Sequence, residues 1–313
     1  MKRQSIFVLA IVFSIAVLGV CGSAFADLYG TPGSIVGWGR DNHGQASPPA
    51  GNDYVAIAAG WFHGLALRSD GSIVGWGSDH LSPPPGNDYV AIAAGLYQSL
   101  ALKSDGSIVG WGEDPYGYGE ASPPAGNDYV AIAAGEGHSL ALKSDGSIVR
   151  WGRGDYGLGT SPYGNDFVAI DAGWLYGLAL KNDGSIVGWG RDYCGETSPP
   201  AGNDYVAISA GGKHGLALKS DGSIDGWGCH GGPLAGNDYV AISAGYDYSL
   251  ALRSDGSIVG WGSDYPGPLP GGNSFLAISA GERTYLALTP VPGAVLLGIL
   301  GLSVAGVKLR KHT

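Results

Sequence analysis

The sequence predicts an all-β chain folded as a seven-bladed β-propeller, with three to four antiparallel strands per blade. Three observations predict it. A unit of 34 to 40 residues recurs, marked by Gly-Trp-Gly or Arg-Trp-Gly around Trp38, Trp76, Trp111, Trp151, Trp189, Trp227 and Trp261, and a fixed period of this size marks a repeat architecture. Each copy holds short apolar alternations separated by turn residues, the pattern of antiparallel strands. The first copy lacks its beginning and the last lacks its end, so that the two together make one whole unit.

Segment 1–26 carries Lys2 and Arg3, an apolar run from Ile6 to Val20 and the small-residue site Ala24-Phe25-Ala26, the layout of a cleaved secretory signal peptide. The rival reading, lipidation of Cys21, is disfavoured by the bulk of Val20 just before it.

The repeat unit is clearest from Asp53 to Gly77. Tyr54 to Ala59 alternates Val55, Ile57 and Ala59 with Tyr54, Ala56 and Ala58, a strand by its period of two. Leu65 to Arg68 gives a second strand and Ser72 to Trp76 a third. Between them Ser69-Asp70-Gly71 is a hairpin signal, glycine supplying the positive φ that a tight turn needs. Pro83-Pro84-Pro85-Gly86 then permits only an edge strand or a loop. Small residues such as Ala56, Ala58, Ala91 and Ala93 suit an innermost strand, where blades crowd around an axis and bury faces that a lone meander leaves open.

The opening Thr31-Pro32-Gly33-Ser34-Ile35-Val36-Gly37-Trp38-Gly39 is third strand only, and Phe275 to Leu288 is first and second strands only. Joined, they complete one blade and close the ring without exposed edges. The propeller domain is therefore 27–290. Segment 291–313 is apolar from Gly293 to Val307 before Lys308, Arg310 and Lys311. As a helix it reaches about 22 Å against a roughly 30 Å hydrocarbon core, and its basic stop marks a sorting or anchor tail at a membrane.

Setting aside the basic residues of both ends leaves 12 Lys and Arg against 27 Asp and Glu, a net charge of about −15 for the body. Such a surface repels phosphate backbones, which excludes nucleic acid as a partner. Cys194 and Cys229 stand in consecutive units and are candidates for one bridge in an oxidising compartment.

The recurring Ala-Gly-x-x-His, Leu-Ala-Leu, Asp-Gly and Trp-Gly elements, as in Ala131 to Gly152, resemble the repeats of the regulator-of-chromosome-condensation family of seven-bladed propellers, and the resemblance covers the whole body. The compact units look most like those of the secreted bacterial β-lactamase inhibitory proteins. This resemblance implies a binding platform, not an enzyme, working without a cofactor. The nuclear members promote nucleotide exchange on a small GTPase, a role that an acidic body behind a signal peptide argues against. The C-terminal tail resembles PEP-CTERM sorting signals of Gram-negative envelope proteins, with Pro290-Val291-Pro292-Gly293 where that family has Pro-Glu-Pro. The expected location is secreted, or on the cell surface or outer envelope of a bacterium.

Antiparallel connections put the turn at Trp61-Phe62-His63 and the loop after Trp76-Gly77 on one face, and the Asp-Gly hairpin on the other. The hairpins barely differ between copies while the upper turns vary and are rich in aromatics, the composition of an interface on loops. Trp61, Phe62, Tyr97, Trp174 and Tyr246, with Tyr118, Tyr156 and Tyr193 from the second set of loops, are the predicted protein-binding residues. The corresponding turns of the inhibitory proteins help grip their target, which implies the same placement. The plainer alternative is that these rings only pack on neighbouring loops.

His63, His138 and His214 share one position, filled elsewhere by Gln98, Tyr176, Tyr248 and Thr284. That exchange reads as structural hydrogen bonding, and three histidines on separate blades do not make a metal site. The Asp-Gly aspartates read as turn formers and Trp38 with its counterparts as core or inter-blade packing. No nucleophile elbow, phosphate loop or metal-spaced cysteine set occurs, so neither catalytic residues nor a metal are expected.

The expected partner is an extracellular or envelope protein, with membrane contact only through the tail and the chain itself a monomer. Inhibition of a β-lactamase or related cell-wall enzyme is the narrower form of this reading. A glycan-binding or glycan-cleaving propeller is a second, in which Asp171, standing where other copies have Ala or Ser, is the suggestive carboxylate near the axis. A purely architectural surface protein is the third.

Overall fold

The computed structural model describes residues 32–78, 82–155, 158–232, 234–263 and 268–291. Segments 1–26 and 292–313, on which the signal-peptide reading and nearly all of the tail reading fall, lie outside these residues, as does Tyr156. The described residues hold strands and turns and no helix, so none is long and apolar enough to cross a membrane.

Strand β1 (Gly33–Gly39) comes first. The repeat unit then gives β2 (Tyr54–Ala59), β3 (His63–Arg68) and β4 (Ile73–Gly77), followed by β5 (Tyr89–Ala94), β6 (Gln98–Lys103) and β7 (Ile108–Gly112). Next come β8 (Tyr129–Ala134), β9 (His138–Lys143), β10 (Ile148–Gly152), β11 (Phe167–Ala172), β12 (Tyr176–Lys181) and β13 (Ile186–Gly190). The series ends with β14 (Tyr205–Ala210), β15 (His214–Lys219), β16 (Ile224–Gly228), β17 (Tyr239–Ala244), β18 (Tyr248–Arg253), β19 (Ile258–Gly262), β20 (Ala277–Ala280) and β21 (Thr284–Pro290). Each unit is an antiparallel three-strand blade. Its middle strand is buried except at the Lys or Arg that ends it, as in His63–Arg68.

Where the sequence predicts seven separate blades, the described strands form six sheets, five of three strands and one of six in the order β20-β21-β1-β2-β3-β4. Two repeat units merge there because Gly33 pairs with Tyr54, the only register pair between β1 and β2. The first and last strands pair along their whole length, from Gly33 opposite Pro290 to Gly39 opposite Thr284. The optional fourth strand is reduced, among the described residues, to one bridge between Ile224 and Leu234, because the proline-rich segments lack the amides a ladder needs.

The strict alternation read from Tyr54 to Ala59 is also corrected. The register shifts between Tyr54 and Ala56, leaving Val55 as a bulge, and the same shift recurs at the start of five other inner strands. A bulge re-aims the residues after it. Tyr54 is thereby buried beside Ile57 and Ala66 against Leu286 and Leu288 of the last repeat unit.

The hairpins opposite the variable turns behave as their sequence demands. Gly71 has φ 83° and Gly184 φ 82°, while Asp70 accepts the Ser72 amide at 2.9 Å and its hydroxyl at 2.7 Å. Those two bonds, the hydroxyl's first, hold the Asp70 carboxyl below its usual range. The Asp-Gly aspartates are turn formers, as the sequence predicts.

Apolar cores lie between units. Leu65 and Leu67 pack with Tyr89, Ile92 and Ala101 of the next one, and Tyr248, Leu250 and Leu252 pack with Ile278, Tyr285 and Ala287. Polar latches add to them. Trp76, Trp151 and Trp227 donate Nε1 to the carbonyls of Gln45, Glu120 and Glu196 at 2.8–2.9 Å, each in the loop of the unit before. These three tryptophans are thus inter-blade ties.

Candidate functional site

Along the inner strands one position makes a ladder around the axis. Asp171 accepts the Ala210 amide at 2.8 Å and the Ser209 hydroxyl at 3.2 Å. Ser209 accepts the Ala244 amide, Ser243 that of Ala280, and Ser279 that of Ala59, each at 3.0 Å. Asp171 therefore acts as an acceptor between neighbouring units, the same work its serine counterparts do. These residues line a cavity of about 130 Å³ in the axial channel.

At His63, Gln98, Tyr176 and His214 the shared histidine position is also an inter-unit tie. His63 Nε2 and Ser99 Oγ share a hydrogen bond of 2.9 Å, as do His214 Nε2 and Ser249 Oγ. At the equivalent place Gln98 donates to the carbonyls of Gly135 and His138, Tyr176 donates to the carbonyl of His214 and Thr284 to that of Arg40. All three histidines are fully buried. Desolvation holds His63 and His214 down at about 4 and His138 at about 3, so they are neutral at pH 7. Among the described residues no group of three or more His, Cys, Asp or Glu is placed to hold a metal ion.

The variable turns are carried on this rigid frame. Gly60 N–H closes the first turn onto the His63 carbonyl, and Ser78 N–H ties the following loop back to Phe62, so both loop sets emerge on one face. There the seven described aromatic residues predicted from sequence meet in a single row. Phe62 stacks on Tyr97 at 5.7 Å between centroids and touches Trp61 at 6.5 Å. Trp61 meets Tyr246 edge-on at 5.3 Å, and Tyr246 meets Trp174 at 5.4 Å. Trp174 then stacks on Tyr193 at 6.3 Å. At the other end Tyr97 continues through Tyr116 to Tyr118, at 6.4 and 5.7 Å.

Sequence reading missed Tyr116, which is 62% exposed, more than Tyr193 at 48%. Its spacing of two from Tyr118, which puts both on one loop, was the available signal. Three cations were missed as well. Arg153 lies over Tyr118 at 5.2 Å, Arg191 over Tyr193 at 3.6 Å, and Lys213 over Trp174 at 5.3 Å and over Tyr193 at 5.6 Å. Cys194 and Cys229 are bonded, with Cα atoms 5.4 Å apart, and tie the Tyr193 loop to the next unit. Glu196 further braces it by accepting the Tyr193 and Cys194 amides.

The Tyr116 loop is held differently. Asp114 accepts the Tyr118 and Gly119 amides at 2.7 and 2.8 Å, leaving Glu120, the counterpart of Glu196, fully buried and without those loop amides. Burial, and after it the Asp114 carboxyl, push the Glu120 pKa up to about 7. An acid whose folded pKa lies above its unfolded value favours the native state at low pH and loses that advantage as pH rises from about 4.5 to 7. Glu120→Gln, the amide found at Gln45, is therefore expected to stabilise the fold by about 1–3 kcal/mol above pH 7 and to change nothing near pH 4. Denaturant titrations at both pH values check it.

Five stretches, 54–81, 129–158, 167–196, 205–231 and 239–265, match the family profile of the regulator of chromosome condensation (RCC1) repeat. The chain is an RCC1-like β-propeller. Among solved structures it is similar to Prp20p from Saccharomyces cerevisiae, described with its binding properties to Gsp1p and histones, at TM-score 0.72 and 17% identity over 92% of this chain and 99% of that one. It is also similar to human WBSCR16, at TM-score 0.67 and 15% identity over 82% and 99%. A third likeness is the ectodomain of the Physcomitrella patens receptor kinase CR4, at 0.65 and 23% over 76% and 71%. At these identities the likeness is one of fold. No curated protein sequence matches the chain.

Proposed function

We propose that this chain is an exported, envelope-associated protein-binding platform, a closed ring of seven blades that works without catalysis through its aromatic face. The six-stranded sheet counts as two blades in this reading, and the packing of β20 on β2 supports closure. The observation that carries the function is the continuous aromatic row itself. Its rings come from six separate loops, and half-buried or exposed Trp, Tyr and Phe on rigid turns are what binding hot spots are made of. Membership in a repeat class whose structural relative Prp20p binds Gsp1p and histones supports a binding role. The signal-like N-terminus and the Cys194–Cys229 bond support an oxidising compartment outside the cytoplasm.

The narrower reading, inhibition of a β-lactamase or another cell-wall enzyme, keeps the same face and differs only in the partner. Trp61→Ala, Phe62→Ala and Trp174→Ala together are expected to weaken partner binding roughly a hundredfold or more while leaving the melting curve near that of the wild type. Surface-immobilised propeller titrated with the partner measures this. Unchanged affinity in a folded triple variant overturns the assignment of the face.

A further inference from the structure

The aromatic row crosses the mouth of the axial channel, and a carboxylate stands inside the crossing. Trp61, Trp174 and Tyr246 line a cavity of about 80 Å³ together with Glu136, over a floor of Ala and Gly residues from the inner strands. The Oε2 atom of Glu136 is shielded from solvent and accepts no hydrogen bond. Two guanidinium groups act on Glu136 through their charge while also serving other groups: Arg153 holds Asp155 at 2.6 Å and covers Tyr118, and Arg191 covers Tyr193.

We propose that this mouth is a socket for a cationic side chain of the protein partner, a lysine ammonium or its methylated form, clasped by Trp61, Trp174 and Tyr246 and paired with Glu136. Aromatic walls attract a desolvated cation through their quadrupoles, with tryptophan the strongest. A carboxylate in the lining supplies the charge-assisted bond that such a site otherwise lacks. The face already uses this chemistry on itself, since Lys213 sets its own ammonium over Trp174 and Tyr193.

Carboxylates dominate the mouth at Tyr246, while at Glu136 two guanidinium groups act beside one carboxylate. Around Tyr246 the carboxylates of Asp247, Glu136 and Glu282 act against the single guanidinium of Arg283, and Glu282 is itself paired with Arg40 at 3.2 Å. Burial raises the Glu136 pKa, while Arg153 and Arg191 pull it down and Asp155 adds to the rise. An incoming cation offsets that desolvation penalty by its charge, so its binding stabilises the ionised carboxylate. With the body carrying an excess of acidic residues, a basic partner is also steered toward the face.

This proposal rests on the reading of the face as a protein-binding surface, and its test separates the two. Tetramethylammonium and Nα-acetyl-lysine amide are titrated into the intact protein, with tryptophan fluorescence and NMR of the ring protons as readouts. Nα-acetyl-norleucine amide, similar in shape but uncharged, is the control. Saturable binding of the cations, at least about tenfold stronger than the control and about tenfold weakened by Glu136→Gln, is the expected result. Trp174→Phe, which keeps a ring in place, is expected to weaken the cations by a smaller factor. Norleucine amide binding as well as the cations, or no effect of Glu136→Gln, overturns the socket. If the cations fail to bind while the triple alanine variant still loses its partner, the socket falls and the binding face stands. If the cations bind but the triple variant keeps its partner, the face reading falls.

Discussion

Acidification from pH 6.5 to 4 is expected to destabilise this propeller strongly before its hairpin aspartates titrate, with Glu120, whose pKa is raised to about 7, acting in the opposite sense. His63, His138 and His214 are buried and neutral, with pKa values lowered by desolvation to about 4, 3 and 4. Unfolded histidine binds a proton near 6.5. Below that pH the unfolded chain gains protons that the native chain refuses, so stability falls with pH until the folded values are reached and levels off beneath them. At about 1.4 kcal/mol per unit and per group the loss is on the order of 3 kcal/mol for each histidine. Three such losses rival the roughly 5–15 kcal/mol that holds a typical domain together. The aspartates of the hairpins have lowered pKa values, so their own loss begins below about pH 4 and is separable.

Glutamine fills this position at Gln98 and makes two inter-unit bonds there. His63→Gln and His214→Gln are therefore expected to flatten the limb between pH 6.5 and 4 while costing little at pH 8. Urea midpoints measured across that range decide it. An acid limb as steep in the double variant as in the wild type contradicts the assignment to the histidines.

Breaking the Cys194–Cys229 bond is the second large effect. The bond closes a loop with a sequence separation of 35, and constraining a chain over that length stabilises the native state by about 4 kcal/mol in the loop-entropy description. For a domain of this size that corresponds to a drop in melting temperature of about 10 °C. The bond anchors the Tyr193 loop, so Cys194→Ser with Cys229→Ser is also expected to reduce Tyr193 stacking on Trp174. Calorimetry with and without reductant, beside the double serine variant, measures the loss. A melting temperature unchanged by reduction, with the thiols shown to be free, contradicts the stabilising role.

Local signals made much of the fold legible. The Asp-Gly hairpins needed only the φ of one glycine, and the pairing of β1 with β21 followed from which strands each end of the chain lacked. The bulge after Tyr54 was hidden because it is a property of register with the next strand, not of alternation within one. The merging of two units at Gly33 and Tyr54 was hidden for the same reason. Asp171 stood out in the sequence only as a departure from the Ala or Ser of its counterparts, because its acceptor role exists only beside Ser209 and Ala210 of the next unit. On the binding face, comparison of the repeats picked out Trp61, Phe62, Tyr97, Tyr118, Trp174, Tyr193 and Tyr246, while their contact as one row depends on loops far apart in sequence. Glu136 and Lys213 carried no signal of their own, since charged residues on variable turns are ordinary until their neighbours are known.

The central claim is that the aromatic row, not the hairpin face, is where a partner binds. Quantitative affinity capture from the source envelope fraction, with wild-type propeller, the Trp61→Ala, Phe62→Ala, Trp174→Ala variant and a hairpin-face variant carrying Ser72→Ala and Ser223→Ala, tests it most directly. One saturable protein partner retained by the wild type and the hairpin variant, and lost by the triple alanine variant, is the expected result. The same partner retained by all three contradicts the claim.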